Sequence, residues 1–213
     1  MLATLIVLGL VLTFSKGALL LALPASLLFI GFAAGGRWRR VALGLLAVGG
    51  LALLPLFGTE RFAGLFDLQG GTSFFRVQLW RGAWNMALDQ PWLGVGLDNF
   101  LYAYRTHYAL PTAWQELNLS HPHNIVLDFW TRLGFLGLVV GIWLFAAAFW
   151  QGWPALKRAS GDRWALLLGL LASLAATLAH GLIDNSLFLV DLMLLFMLSI
   201  GLIGRLGQEL TES

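Results

Sequence analysis

Two histidines flank a proline in the segment Ser120-His121-Pro122-His123-Asn124, which directly precedes a long apolar run. If that run is a membrane helix, the segment lies at its N-terminus, where free backbone N–H groups and the positive dipole end favour an anion. The same field disfavours a charged imidazole, and a neutral imidazole suits a general base. The segment therefore indicates anion binding or proton transfer. Its alternative is a polar helix cap with ordinary interfacial histidines.

The same histidine pair also raises the question of a metal. His121 and His123 would supply two ligands, but the sequence places no third, and the chain has no cysteine to offer a thiolate. We therefore expect no metal and no cofactor, and we favour proton transfer over metal chemistry at this segment.

Three cations are candidates for holding a phosphate group. Arg76 and Arg81 lie on a segment with helical periodicity, and a guanidinium grips phosphate with two parallel hydrogen bonds. Residues five apart on a helix flank one patch. Lys16, at the end of an apolar run, is a third cation on the same predicted side of the membrane. The alternatives are a solvated helix face for the arginines and snorkelling for the lysine.

Two further pairs of polar residues are spaced four apart. Asp128 and Arg132 lie inside the apolar run, where they can pair along one helix face. Charges inside a membrane are functional candidates, but a self-neutralising pair is an equally good structural solution. His180 and Asp184 have the same spacing, and a polar helix end facing lipid headgroups is the favoured interpretation for them.

The composition requires that membrane helices position these groups. Of 213 residues, 59% are hydrophobic and 11% are charged, against about 25% charged in an ordinary soluble domain. The mean hydropathy is +0.79. Such a chain cannot cover its surface with polar groups, so lipid must be its main solvent. This composition excludes a disordered chain, an ordinary soluble globular domain and a nucleic-acid-binding tail, and we expect no nucleic-acid partner.

The apolar runs predict an all-α polytopic membrane protein with about six transmembrane helices and one long external loop. The runs are approximately 1–14, 17–34, 41–57, 124–150, 164–183 and 187–203. We expect helices 1–3 within 1–57, an external loop domain over 58–122, helices 4–6 within 123–204 and a cytoplasmic tail over 205–213. A cleaved signal peptide is not favoured for the first run, because it lacks a basic start.

The basic residues set the predicted orientation. Seven of the thirteen occupy short connections that alternation places on one side, which the positive-inside rule makes cytoplasmic. They are Arg37, Arg39, Arg40, Lys157, Arg158, Arg163 and Arg205. Both termini are then cytoplasmic. The long loop and the Asp184-Asn185-Ser186 turn are external.

The external loop carries its own helical signals. Val77, Trp80, Trp84, Ala87 and Leu88 recur at three and four residues, which predicts a helix with those residues on its apolar face. Pro91 ends that helix and 94–96 makes a turn. Asp98 is expected to cap a second short helix that runs through Tyr104 to His107.

These segments together resemble the O-antigen ligase family. The resemblance begins at Thr13-Phe14-Ser15-Lys16-Gly17-Ala18, where the family usually has arginine in place of the lysine. It continues through Arg76-x-x-x-Trp80-x-x-Ala83 and Asp89-x-Pro91-x-x-Gly94-Val95-Gly96-x-x-Asn99-Phe100. It ends in His121-Pro122-His123-Asn124-x-x-Leu127 with Gly134-x-x-Gly137. Arg132 stands where the family commonly has an acidic residue before the glycine.

The resemblance implies an inner-membrane glycosyltransferase without a metal. Its donor would be a glycan on undecaprenyl pyrophosphate and its acceptor a lipid A core sugar, at the periplasmic face. His123 would be the base and Arg76 the pyrophosphate ligand, both catalytic. The remaining predicted substrate contacts are Arg81, Lys16, His121, Asn124 and Asn99. Members of the family usually carry further helices before the matched region, so we expect this chain to correspond to a second half.

Three alternatives remain open from the sequence. A polymerase that joins repeat units on the same carrier lipid, or a protein oligosaccharyltransferase, would use the same chemistry. A transporter component or a non-catalytic membrane fragment is the alternative outside the enzyme class. A transporter would be expected to have broken spans with polar midplane residues, whereas the apolar runs here are mostly clean.

Overall fold

A computed structural model describes residues 8–10, 12–13, 15–59, 62 and 69–212. The described part is helical and contains no strand, which confirms the predicted all-α class. Its helices are α1 Leu23–Ala34, α2 Gly36–Leu53, α3 Gly71–Asp89, α4 Phe100–Ala103, α5 Ile125–Arg158, α6 Gly161–Gly181 and α7 Val190–Glu212. Shorter π- and 3₁₀-turns occupy Ala18–Ala22, Leu54–Gly58, Tyr104–Tyr108 and Pro111–Glu116.

Three of these helices are long and apolar enough to cross a membrane. They span Ile125–Arg158, Gly161–Gly181 and Val190–Leu210, and they correspond to predicted helices 4–6. Ala18–Ala34 is a shorter apolar helix. Most of the first predicted run lies outside the described residues, so the total of six stays a prediction. The protein is a membrane protein with at least these three candidate spans.

The chain divides into two compact units. One comprises 1–48, 145–183 and 193–213. In it α1 packs on α6, and Gly31 brings α1 so near α2 that a Cβ there would lie 2.9 Å from Ala42 Cβ. Likewise, a Cβ on Gly17 would lie 2.7 Å from His180 Nε2. The glycine of the Lys16-Gly17 motif therefore makes room for an imidazole.

The second unit comprises 49–144 and 184–192 and has its own core. That core is formed by Leu79, Ala83, Met86, Phe100, Tyr104 and Leu127. The rings of Phe100 and Tyr104 stack with centroids 5.8 Å apart. A Cβ on Gly82 would meet the Tyr108 carbonyl oxygen at 2.5 Å, so α3 approaches the π-turn closely because it lacks a side chain there.

Helix α3 confirms the predicted helix in the loop, but the predicted buried face was wrong in part. The helix buries Gln78, Leu79, Gly82, Ala83, Met86 and Ala87, whereas Trp84 and Leu88 are exposed. Small residues on the buried face permit close packing, and the tryptophan is left to the surface, where its amphipathic ring suits lipid headgroups. Gln78 is buried beside Thr112, whose hydroxyl lies 3.3 Å from its amide oxygen.

The second short helix begins differently from the expectation. Its N-cap position is Asn99 rather than Asp98, and no side chain caps the helix there. Asn99 instead donates its amide N–H to the Val95 carbonyl at 2.9 Å. The predicted capping role of Asp98 was therefore wrong, because the turn at Gly96 shifts the helix start by one residue.

The longest membrane helix, α5, is broken at Gly134, where φ is 71° and ψ is −174°. The break would leave backbone groups unpaired in lipid, and the 91–96 loop pairs them. Val95 N donates to the Thr131 carbonyl at 2.7 Å and Gly96 N to the Arg132 carbonyl at 3.0 Å. Phe135 N donates to the Pro91 carbonyl at 2.7 Å. We call this loop, residues 91–96, the strap.

Candidate functional site

The two histidines of the 120–124 segment converge on Asp184. His123 Nδ1 lies 2.7 Å from Asp184 Oδ1, and His121 Nε2 lies 3.9 Å from the same oxygen. The centroids of the two imidazole rings are 4.2 Å apart. All three side chains are partly buried, so the cluster is accessible without being fully hydrated. These residues belong to the second unit.

The backbone around His123 is held in an uncommon conformation. His123 has φ of 51°, and among the described residues it alone, glycine apart, has a positive φ. Such a residue persists only where its surroundings fix it, and these positions gather at functional sites. Trp80 Nε1 donates to the Pro122 carbonyl at 2.9 Å, which secures the residue before His123 to α3. The tryptophan of the Arg76-x-x-x-Trp80 motif thereby positions the histidine loop.

Asn124 caps α5. Its side-chain oxygen accepts hydrogen bonds from the backbone N–H groups of Val126 at 3.0 Å and Leu127 at 3.1 Å. An asparagine at this position satisfies donors that the first helical turn leaves unpaired. The helix therefore begins at Ile125, close to the predicted start of this apolar run at 124. The predicted contact of Asn124 with substrate stays a prediction.

The His123–Asp184 contact determines the tautomer of the imidazole. An ionised carboxylate only accepts hydrogen bonds, so the proton between the two groups belongs to Nδ1. Nε2 of a neutral His123 then carries the free lone pair. This is the arrangement of a general base oriented by a carboxylate.

The same three residues form a possible ligand set for a metal. His121, His123 and Asp184 offer one ligand atom each, and these atoms lie within 4.8 Å of one another. Asp184 is the third ligand that the sequence did not place. However, a 2.7 Å contact between Nδ1 and a carboxylate oxygen is a direct hydrogen bond, whereas two ligands about 2.0–2.1 Å from a tetrahedral zinc ion lie farther apart. The geometry suits proton transfer better than metal ligation.

A buried ion pair lies directly behind the cluster. Arg132 Nε donates to Asp128 Oδ1 at 2.6 Å, which confirms the predicted pairing. The same guanidinium donates to the Ser120 carbonyl at 2.7 Å and to the Leu97 carbonyl. Asn185 donates its amide N–H to Asp128 Oδ2 at 2.7 Å.

This network fixes both partners of the histidine–aspartate contact. Ser120 directly precedes His121, and Asn185 directly follows Asp184. Asp128, Asn185 and Arg132 are at most 8% exposed, so their hydrogen bonds act in a medium where water does not compete. Arg132 and Asp128 therefore contact the neighbours of both His121 and Asp184.

Arg81 lies at an open groove on α3. The groove has a volume of about 370 Å³, and its lining consists of Val77, Trp80, Arg81, Trp84, Asn85 and Leu127. A cation beside an apolar surface is the pattern that a lipid with an anionic headgroup requires. Arg76 is half-buried and lies one helical turn before Trp80, on the helix face that meets the histidine loop.

The structure also describes the two other predicted contacts, Lys16 and Asn99. Lys16 belongs to the first unit. Asn99 is exposed and is bonded to the strap. Neither observation tests their predicted contact with substrate.

Two tyrosines of the second unit have raised pKa values. Burial, followed by the charge of Glu116, raises the pKa of Tyr104. Burial, a hydrogen bond from the phenol to Asp89 and the charge of that carboxylate raise the pKa of Tyr108. Both phenols therefore stay protonated at neutral pH.

Asp184 and Asn185 are residues of the candidate site that the sequence did not indicate. The sequence spacing places Asp184 four residues after His180, whereas the structure pairs it with His123, 61 residues away. Membrane topology was the signal that could have indicated this pairing, because the predicted orientation places the 184–186 turn on the same side as the histidine segment.

Comparisons with known proteins identify the family of this chain. A family model described as O-Antigen ligase matches residues 1–142. An O-antigen ligase of Pseudomonas aeruginosa (strain PAO1) is 29% identical over 174 residues, covering 78% of this chain and 38% of that protein. The chain thus spans well under half the length of this relative. Since the family model covers most of the chain, the protein belongs to the O-antigen ligase family.

Proposed function

We propose that this protein transfers a glycan from a polyprenyl pyrophosphate to a hydroxyl of an acceptor sugar, with His123 as the base. The observation that carries the proposal is the 2.7 Å contact between His123 Nδ1 and Asp184 Oδ1. This contact leaves Nε2 free to accept a proton. Family membership supports a ligase of this kind.

The proposed reaction balances without a cofactor. The acceptor hydroxyl gives its proton to His123 Nε2 as its oxygen bonds to the anomeric carbon of the donor glycan. The bond between that carbon and the pyrophosphate oxygen breaks, and the electron pair leaves with the pyrophosphate. Asp184 stabilises the imidazolium that forms.

Arg76 and Arg81 are proposed to hold the pyrophosphate. Negative charge grows on the leaving group, and fixed cations stabilise it without reorganisation. The groove beside Arg81 supports a polyprenyl donor, because its apolar side chains match the lipid and its arginine matches the headgroup. His121, Asn99, Asn124 and Lys16 remain predicted further contacts.

The proposed setting is the periplasmic face of the bacterial inner membrane. The basic connections support a cytoplasmic location for the opposite face. The proposed donor is glycan-linked undecaprenyl pyrophosphate and the acceptor is a lipid A core sugar. The donor and acceptor chemistry follows from the family resemblance.

The test is glycan transfer by the purified chain in liposomes that contain a polyprenyl-pyrophosphate-linked glycan and a lipooligosaccharide acceptor. His123→Ala is expected to lower the initial rate about 10²- to 10⁴-fold, which is the usual contribution of a general base. Product formation is followed by the shift of the acceptor on a gel.

His107→Ala is the matched control, because His107 is an exposed histidine of the same unit outside the cluster. It should retain the wild-type rate. Wild-type rates in a correctly inserted His123→Ala protein would refute the assignment of the base. Extension of the carrier-linked glycan, instead of loading of the acceptor, would identify a polymerase.

A further inference from the structure

A small pocket adjoins the histidine–aspartate cluster within the second unit. Its volume is about 230 Å³. Its walls come from the first turns of α5, from the 185–189 turn and from the 98–102 segment that contains α4. Sites for drug-sized ligands have roughly 300–1,000 Å³, so this pocket suits a single ring.

The lining combines apolar surfaces with hydrogen-bonding groups. Tyr102 and Phe188 supply aromatic surface, and Leu101 and Leu189 add aliphatic surface. The polar part includes carboxylate, hydroxyl and imidazole groups, from Asp98, Ser120, Ser186 and His121. A sugar ring presents both kinds of surface, since its hydroxyls need partners and its C–H faces pack on the electron-rich faces of aromatic rings.

The charges of the pocket argue against an anionic ligand. Asp98 contributes a carboxylate, whereas the carboxylate of Asp128 is compensated by its ion pair with Arg132. The guanidinium of Arg132 also reaches the wall, but Asp128 and two backbone carbonyls already engage it. A pyrophosphate would therefore meet negative charge without an available cation. A neutral polyhydroxylated ring meets acceptors for its hydroxyl groups.

His121 connects this pocket to the proposed base. Its ring lines the pocket and lies 4.2 Å, centroid to centroid, from the ring of His123. Its Nε2 is buried and has no hydrogen-bond partner within the described part of the chain. A buried polar atom without a partner is costly, and a ligand hydroxyl would satisfy it.

We propose that this pocket binds the sugar ring of the acceptor and excludes the donor pyrophosphate. The ring packs on Tyr102 and hydrogen-bonds to Asp98. One hydroxyl of the sugar hydrogen-bonds to His121 Nε2, which places the sugar next to the base His123. The identification of the bound sugar as the acceptor rests on the proposed transferase function. The binding of a neutral sugar does not depend on it.

The binding test uses saturation-transfer difference NMR on the full chain in detergent, with methyl hexosides and methyl heptosides as probes. At least one glycoside should show saturation transfer from the protein. The signal should fall severalfold in Tyr102→Ala and in Asp98→Asn. It should persist in Trp114→Ala, which removes an exposed aromatic side chain outside the pocket. Inorganic pyrophosphate should not displace the glycoside.

Absence of saturation transfer for every glycoside would overturn the inference, as would displacement by pyrophosphate or equal signals in all variants.

The kinetic readout separates this inference from the proposed function. In the liposome assay, Tyr102→Ala should raise the KM for acceptor about tenfold and leave the KM for donor unchanged. Sugar binding by a chain that transfers no glycan would refute the transferase and keep the pocket. Glycan transfer by Tyr102→Ala with an unaltered KM for acceptor would refute the sugar pocket and keep the transferase.

Discussion

His123 gains its proposed role from three contacts of neighbouring groups. Asp184 fixes the proton on Nδ1, Trp80 holds the preceding carbonyl, and Asn124 starts the helix that follows. Together they stabilise a positive φ that a histidine rarely adopts. The imidazole is thus oriented before a substrate arrives, which is what a general base requires.

At this scale the metal alternative can be tested directly. Dialysis of the purified protein against EDTA should leave the transfer rate unchanged, because a hydrogen bond already occupies the Asp184 oxygen that faces Nδ1. Added Zn²⁺ should inhibit, since it would take the lone pair that accepts the proton. Loss of transfer in EDTA, restored by Zn²⁺, would instead show that the three residues hold a metal.

At the scale of elements, the break in α5 explains why the strap is rich in glycine. Gly94 has φ of 64°, and a Cβ there would lie 2.5 Å from the Thr131 carbonyl oxygen. A Cβ on Gly134 would collide with the backbone of Trp92 and Leu93. The two segments fit together because neither has a side chain at the crossing.

Gly134→Ala is therefore expected to destabilise the protein by about 1–3 kcal/mol, from the strained φ and the collision with the strap. The measurement is thermal unfolding of the protein in detergent. Gly169→Ala is the control, because a Cβ there on α6 meets nothing within 4 Å and alanine favours a helix. Equal stability of the two variants would contradict the role of the strap.

The Asp128–Arg132 pair gives a second prediction for α5. Asp128→Asn alone should cost about 3–5 kcal/mol, because it leaves the buried guanidinium without its countercharge. The double substitution Asp128→Leu with Arg132→Met should regain much of that stability.

The double variant should still transfer glycan slowly, because the carbonyl of Ser120 and the amide of Asn185 lose their partners. A stable double variant with the wild-type kcat would show that the pair is structural and does not position the cluster. Unfolding curves and kcat measured on the same preparation separate the two outcomes.

The helices and the break in α5 were predictable from the sequence to different degrees. The apolar runs predicted α5, α6 and α7, and the three- and four-residue periodicity before Pro91 predicted α3, since periodicity and length are local properties. Which face of α3 is buried was not predictable, because it depends on how closely Gly82 approaches the π-turn at Tyr104–Tyr108. The break at Gly134 was also missed, because a single glycine in an apolar run does not reveal a loop that will pair with it.

At the scale of the whole molecule, the predicted membrane topology places both parts of the candidate site on one side. The histidine segment and the 184–186 turn are separated by α5 and α6, two antiparallel passes in the predicted topology, so both return to the same predicted side. That alternation was readable from the sequence. The pairing of Asp184 with His123 was not, because a distance between helix ends depends on packing that no local pattern records.

His123 and Asp184 are proposed to act as one catalytic unit, and a double-mutant cycle on kcat tests this most directly. His123→Ala, Asp184→Asn and the double variant would be compared in the liposome assay. We expect Asp184→Asn to lower kcat about 10²-fold or more, and the double variant to be no slower than His123→Ala alone. A double variant slower by the product of the two separate losses would contradict the claim.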